Sequence, residues 1–179
     1  MENNNSSSAN YFRFCAMILT AMVAMFFLMY TNSYQILDHA WFSEERFFMT
    51  LVMGGSMMII MLAFMLKMYK DSKINIAIFI GGALLLIGSI WLSRSQITID
   101  DVDYMKGMIP HHSIAILTSE RADIEDPRVQ KLAKEIMDAQ RVEIKEMEWL
   151  INDIRENGIA ETEKEVKARP IPKFAPTPE

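Results

Sequence analysis

Three apolar runs, residues 14–30, 47–66 and 74–92, fill the first half of the chain, and none of them contains Asp, Glu, Lys or Arg. Each approaches the roughly 20 residues that a helix needs to cross about 30 Å of hydrocarbon. The pattern predicts three membrane spans. From Thr98 the character changes: apolar residues recur every three or four positions between charged ones, the period of amphipathic helices. Thr98 and Asp100 are candidate N-caps of a first such helix, with Asp101 and Asp103 at the positive end of its dipole, and this helix is expected to run to about Arg121. The segment ADIEDPR breaks the pattern, with Asp126 as a cap and Pro127 at the first helical position, where its missing N–H costs nothing. A second helix then runs to about Asn157 and stops at Gly158.

The flanks carry neither pattern. Residues 1–13 are mostly polar and are expected to be disordered, as is the tail 159–179, where Pro170, Pro172, Pro176 and Pro178 favour extended chain. The fold class is therefore all-α: three transmembrane helices followed by an αα-hairpin at 98–158. Two helices make a poor core at that size. The hairpin is expected to be completed by homodimerisation into a four-helix bundle.

Charge sets the orientation, because short loops rich in Lys and Arg stay in the cytoplasm. Lys67, Lys70 and Lys73 lie between the second and third runs, whereas the connection between the first and second has Arg46 against Asp38, Glu44 and Glu45. The N-terminus is expected in the cytoplasm and the hairpin outside the inner membrane, in the periplasm or at the cell surface. The first run reads as an uncleaved anchor rather than a signal peptide, since only Arg13 precedes it and FFLMYTNSY offers a poor cleavage site. The formal net charge is −5 and the hairpin has no basic patch, which argues against nucleic acid. Cys15, the single cysteine, excludes an intramolecular disulfide and a CxxC metal motif, and it reads as a small apolar residue of the first span.

The candidate chemistry is in DYMKGMIPHHSIAI, residues 103–116, which holds two of the three histidines. At about 100° per residue, His112 falls at the centre of the apolar face formed by Met105, Met108, Ile109 and Ile116. His111 lies on the flank with Tyr104. Pro110 leaves two alternatives: a kink that re-aims both histidines, or a fresh helix starting at the proline. On the second helix Val129, Leu132, Ala133, Ile136, Met147, Leu150, Ile151 and Ile154 define an apolar face, with Gln140 and Glu143 near its middle. A carboxylate buried there requires a partner. Met105, Met108, His112, Glu143 and Met147, with His111 if the helix bends, form a candidate metal site. Thioether with imidazole suits Cu(I), so a copper ion is the expected cofactor. The alternative is a Met-lined core with one histidine hydrogen-bonded to Glu143 or Gln140.

DYMKGMIPHHSIAI, followed by LAKEIMDAQRVEIKEMEWL, resembles the domain of unknown function 305 family over about Asp100 to Asn157. The resemblance implies a ferritin-like helical bundle, an exported location and, in some members, copper binding. Met105, Met108, His111, His112, Gln140, Glu143 and Met147 match the family's recurrent polar and thioether positions. Leu117 and Thr118 stand where many members have a further methionine. Longer members repeat the hairpin, whereas this chain has one copy, in keeping with a dimer.

No Glu-x-x-His, HExxH, phosphate loop or nucleophile–base pairing occurs, so no enzyme activity is expected. The second run carries Met49, Met53, Met57, Met58, Met61 and Met65, with Met68 just past its end, a track that a small metal transporter could use, although methionine is also a common flexible packing residue. The glycine pairs in the second and third runs read as close helix contacts. His39, in the first connection, reads as an interfacial polar residue. The expectation is a membrane-anchored, extracytoplasmic copper-binding protein that buffers the ion or exchanges it with a donor or acceptor protein. A metal-free, membrane-tethered interaction module is the alternative.

Overall fold

A computed structural model describes residues 2–34 and 41–176, so His39 lies outside the described residues. All regular structure among them is helical: α1 (Glu2–Leu28) with a 3₁₀ turn at Met29–Asn32, α2 (Glu44–Met65), α3 (Ser72–Ser95), α4 (Asp101–Arg121), α5 (Pro127–Asn157) and α6 (Glu163–Ala168). They form two compact units, one of residues 1–29 and 44–98, the other of residues 30–43 and 99–179.

In the first unit three helical stretches are long and apolar enough to cross a membrane: Ala9–Thr31, Glu44–Met65 and Ser72–Ser95, of 23, 22 and 24 residues. α1 corrects the expected disordered start. It is helical from Glu2, because a helix nucleated by a packed apolar run extends cheaply into flanking residues that contain neither Gly nor Pro. Tyr11, inside that stretch, is buried. Its hydroxyl donates to Asn75 Oδ1 at 2.9 Å and accepts from the Asp71 N–H at 3.0 Å, while Asn75 Nδ2 donates to the Tyr69 carbonyl at 2.8 Å. These bonds satisfy buried polar groups that would otherwise be costly. α2 and α3 approach at Gly55 and Gly82: a Cβ on Gly55 would stand 2.8 Å from the Gly82 carbonyl oxygen. Gly81 and Gly88 face open space and mark no such contact. Met57, Met58, Met61 and Met65 of α2 pack with Met22 around Tyr11, Phe14, Ile18 and Leu62, as gap-filling core residues do.

In the second unit Asp100 caps α4, its side chain accepting the Asp103 N–H at 2.8 Å, and Asp126 caps α5 by accepting the Arg128 N–H at 2.8 Å. Gly158, at φ 76°, ends α5 in a conformation that glycine adopts without strain. α4 and α5 pack against each other around Met105, Ile109, Ile116, Ile144, Met147 and Ile151. Part of the cover comes from the segment ahead of α2: Tyr34 and Trp41 pack on this core, and the Arg155 guanidinium lies 5.5 Å from the Trp41 ring centre. The tail also departs from expectation. Thr162 and Glu165 form a reciprocal capping box that starts α6, and Arg169 returns to Asp153 at 2.9 Å. The prolines begin only after the helix, at Pro170.

Candidate metal centre

α4 is continuous from Asp101 to Arg121 through the buried Pro110, so no fresh helix begins at the proline. The uninterrupted helix keeps His112 on the inner face and leaves His111 exposed on the flank. The two rings are tilted by 55° with centres 6.2 Å apart. His111 is not among the inward-facing donors.

Across the hairpin, His112 Nδ1 stands 3.2 Å from Glu143 Oε2. The approach is too oblique for a hydrogen bond, and the buried Nδ1 has no hydrogen-bond partner among the described residues. Glu143 instead accepts from Gln140 Nε2 at 3.4 Å. Met105 and Met147 are buried in the core and Met108 packs against it. Residues four apart on a helix share a face, so Met108 lies one turn from His112 and Met147 one turn from Glu143. With the helices antiparallel, the two thioethers fall in the layer next to the imidazole–carboxylate pair.

Burial holds the His112 pKa below its ordinary value of 6.5; the Glu143 charge opposes this and His111 reinforces it. Burial wins because desolvating an imidazolium costs more than one half-exposed carboxylate returns. The ring is therefore neutral at pH 7, the form that ligates metals. Glu143 departs from the sequence reading. Its side chain is 47% exposed, so water satisfies it and no buried partner is needed. The cause is the uncovered half of α5: Val129, Leu132 and Ile136 are 46%, 54% and 37% exposed, although they continue the apolar face that holds Met147 and Ile151.

Periodicity gave no sight of Ser113, which is fully buried and accepts the Tyr34 N–H at 2.6 Å. Tyr34 also donates its hydroxyl to Glu120 at 3.3 Å. Ser43, likewise buried, lies against Gly107, where a Cβ would stand 3.2 Å from its hydroxyl. The signal for this contact was available in the aromatic residues Tyr34 and Trp41 of the connection between the first two apolar runs. Among the described residues, no three His, Cys, Asp or Glu side chains converge as a metal group. Any ion held here would depend on the thioethers.

The fold and this site define a class: an all-helical protein that joins three apolar helices to a hairpin with a Met-, His- and Glu-bearing inner face. Residues 101–173 match the family described as Domain of unknown function (DUF305). An uncharacterized protein of Acanthamoeba polyphaga mimivirus is 35% identical over 109 residues, which cover 60% of this chain and 70% of that protein. The chain belongs to the domain of unknown function 305 family. The matched region extends past Gly158 and includes α6 and Arg169. No solved structure matches the chain.

Proposed function

We propose that this protein is a membrane-anchored, extracytoplasmic copper-binding protein that buffers Cu(I) or exchanges it with a donor or acceptor protein, without catalysis. The observation that carries this reading is the His112 Nδ1 atom, which is buried, without a hydrogen bond, and 3.2 Å from the Glu143 carboxylate, with thioethers in the adjacent layer. A buried polar atom left unpaired costs about 1–3 kcal/mol, and an ion at that position would recover it. His112, Met108, Met147 and Glu143 would be the donors, with Met105 a turn further on. Thioether and neutral imidazole suit Cu(I), a soft ion content with few ligands; zinc would want more nitrogen or carboxylate than this face supplies.

An extracytoplasmic hairpin in the inner membrane, with the N-terminus in the cytoplasm, is supported by two features. Tyr34 and Trp41, from the connection between the first two apolar helices, pack on the hairpin core, which requires both to lie on the same side of a three-span anchor. The turn with Lys67, Lys70 and Lys73 is one apolar helix away along the chain, so in a three-span anchor it would lie on the cytoplasmic side, where positive residues are retained.

The test is titration of the full chain in detergent with Cu(I), Cu(II) and Zn(II) against a competing chelator, beside a variant carrying His112→Ala and Met108→Ala. The full chain is needed because Tyr34 and Trp41 belong to the hairpin core. Binding of Cu(I) tighter than micromolar, weakened at least about tenfold in the variant, equal to about 1.4 kcal/mol or more, is the expected result. Binding no tighter than micromolar, or equal binding by the variant, overturns the proposal.

A further inference from the structure

α5 is covered along one half and bare along the other. Its exposed stripe, Val129, Leu132 and Ile136, runs on into Gln140 and Glu143 at helical spacing, and it borders a groove closed by Thr118, Ser119 and Ile124. The charges of α5 are also polarised. Residues 127–141 hold four Lys or Arg and two acidic residues, whereas residues 142–157 hold five acidic residues and two Lys or Arg. This runs against the helix dipole, which disfavours cations in the first turns and anions in the last. The intramolecular pairs are short-range, Arg128 with Asp126, Lys131 with Glu135 at 3.8 Å, and Arg141 with Asp138 at 3.7 Å and Glu120 at 4.0 Å, and none of them reaches the acidic half of α5.

We infer that the stripe is the seat of a second copy of this chain, packed with the two α5 helices antiparallel. Antiparallel packing sets the basic half of each helix against the acidic half of the other. A two-fold axis near Met137 brings Glu146 of one copy level with Arg128 of the other, and at about 100° per residue both lie on the same flank of the stripe. Parallel packing would stack acidic end on acidic end. Asp123, Glu125 and Asp126, in the turn before α5, reduce the contrast at the basic end without reversing the preference. The occupant is thus specified twice, since an isologous contact must be apolar in the middle and charge-complementary to itself when reversed. The second copy would also cover Gln140 and Glu143 at the mouth of the candidate metal centre.

The inference stands on α5 alone and is tested on metal-free protein, so its failure leaves the copper reading intact and the converse also holds. Full-length protein in detergent at micromolar concentration is examined by light scattering, beside Leu132→Glu/Ile136→Glu and the milder Leu132→Ala/Ile136→Ala. A dimer is expected for the parent. The glutamate pair should weaken it on the order of a hundredfold or more, as the loss of two buried aliphatic side chains implies, and the alanine pair should weaken it less, with helical circular dichroism unchanged in both. Spin labels on Glu156→Cys in a Cys15→Ser background then report direction. Label separations beyond about 40 Å fit antiparallel helices of this length, and separations under about 20 Å fit parallel ones. A monomeric parent, a dimer that survives in the glutamate pair, or the short separation overturns the inference.

Discussion

The two halves of α5 obey one hydrophobic pattern and meet different surroundings. In the C-terminal half Ile144, Met147 and Ile151 are buried against α4 and the segment carrying Tyr34 and Trp41. In the N-terminal half Val129, Leu132 and Ile136 occupy equivalent positions and face outward. An apolar stripe shows which side of a helix seeks cover. It does not show whether the cover comes from the same chain. The candidate metal centre lies where the halves join, which is why His112 is shielded while Glu143 is half in water.

The sharpest way to break this comparison is to truncate one residue in each half. Ile151→Ala empties a fully buried site and should cost about 2–5 kcal/mol, read as faster hydrogen exchange across α4 and α5 in the full chain. Leu132→Ala should change the same exchange by less than about 0.5 kcal/mol in the monomer. Equal costs at the two positions would show that the halves are covered alike. Next in size is Trp41→Ala, which removes the intramolecular lid and its contact with Arg155; a loss of about 2–4 kcal/mol confined to the C-terminal half is expected.

A smaller effect is expected from Arg169→Ala. The ion pair with Asp153 is largely shielded, but it closes a short loop at one end of the hairpin, so the change should cost about 1 kcal/mol. It should also make the peptide bonds of 159–168 readily cleaved by protease. Unaltered protease resistance would mean that α6 is held by its apolar contacts alone.

pH gives the finest probe of the junction. The folded hairpin holds His112 below its ordinary pKa of 6.5, so the unfolded chain binds the proton more readily. The stability tied to the neutral ring is present in full above pH 6.5 and is lost as pH falls through the lower folded value. In metal-free protein, exchange protection around His112 should therefore decline between pH 7.5 and pH 5.5, and His112→Gln should flatten that decline. A parent as well protected at pH 5.5 as at pH 7.5 would remove the argument for a neutral imidazole.

Much of this protein could be read along the chain. The spans, the caps Asp100 and Asp126 and the stop at Gly158 depend on local features: run length, a side chain within reach of its own backbone, a residue free to take positive φ. The inward direction of His112 follows from 3.6-residue periodicity, and the backbone through Pro110 preserves it. The helical start of α1 and the capping box that opens α6 are local as well, whereas the packing of Tyr34, Trp41 and Ser113 and the return of Arg169 to Asp153 were decided by contacts between residues far apart in sequence. So was the exposure of Glu143. A helical wheel assigns a residue to a face, and only tertiary packing decides whether that face is covered and how far water is kept from the charge upon it.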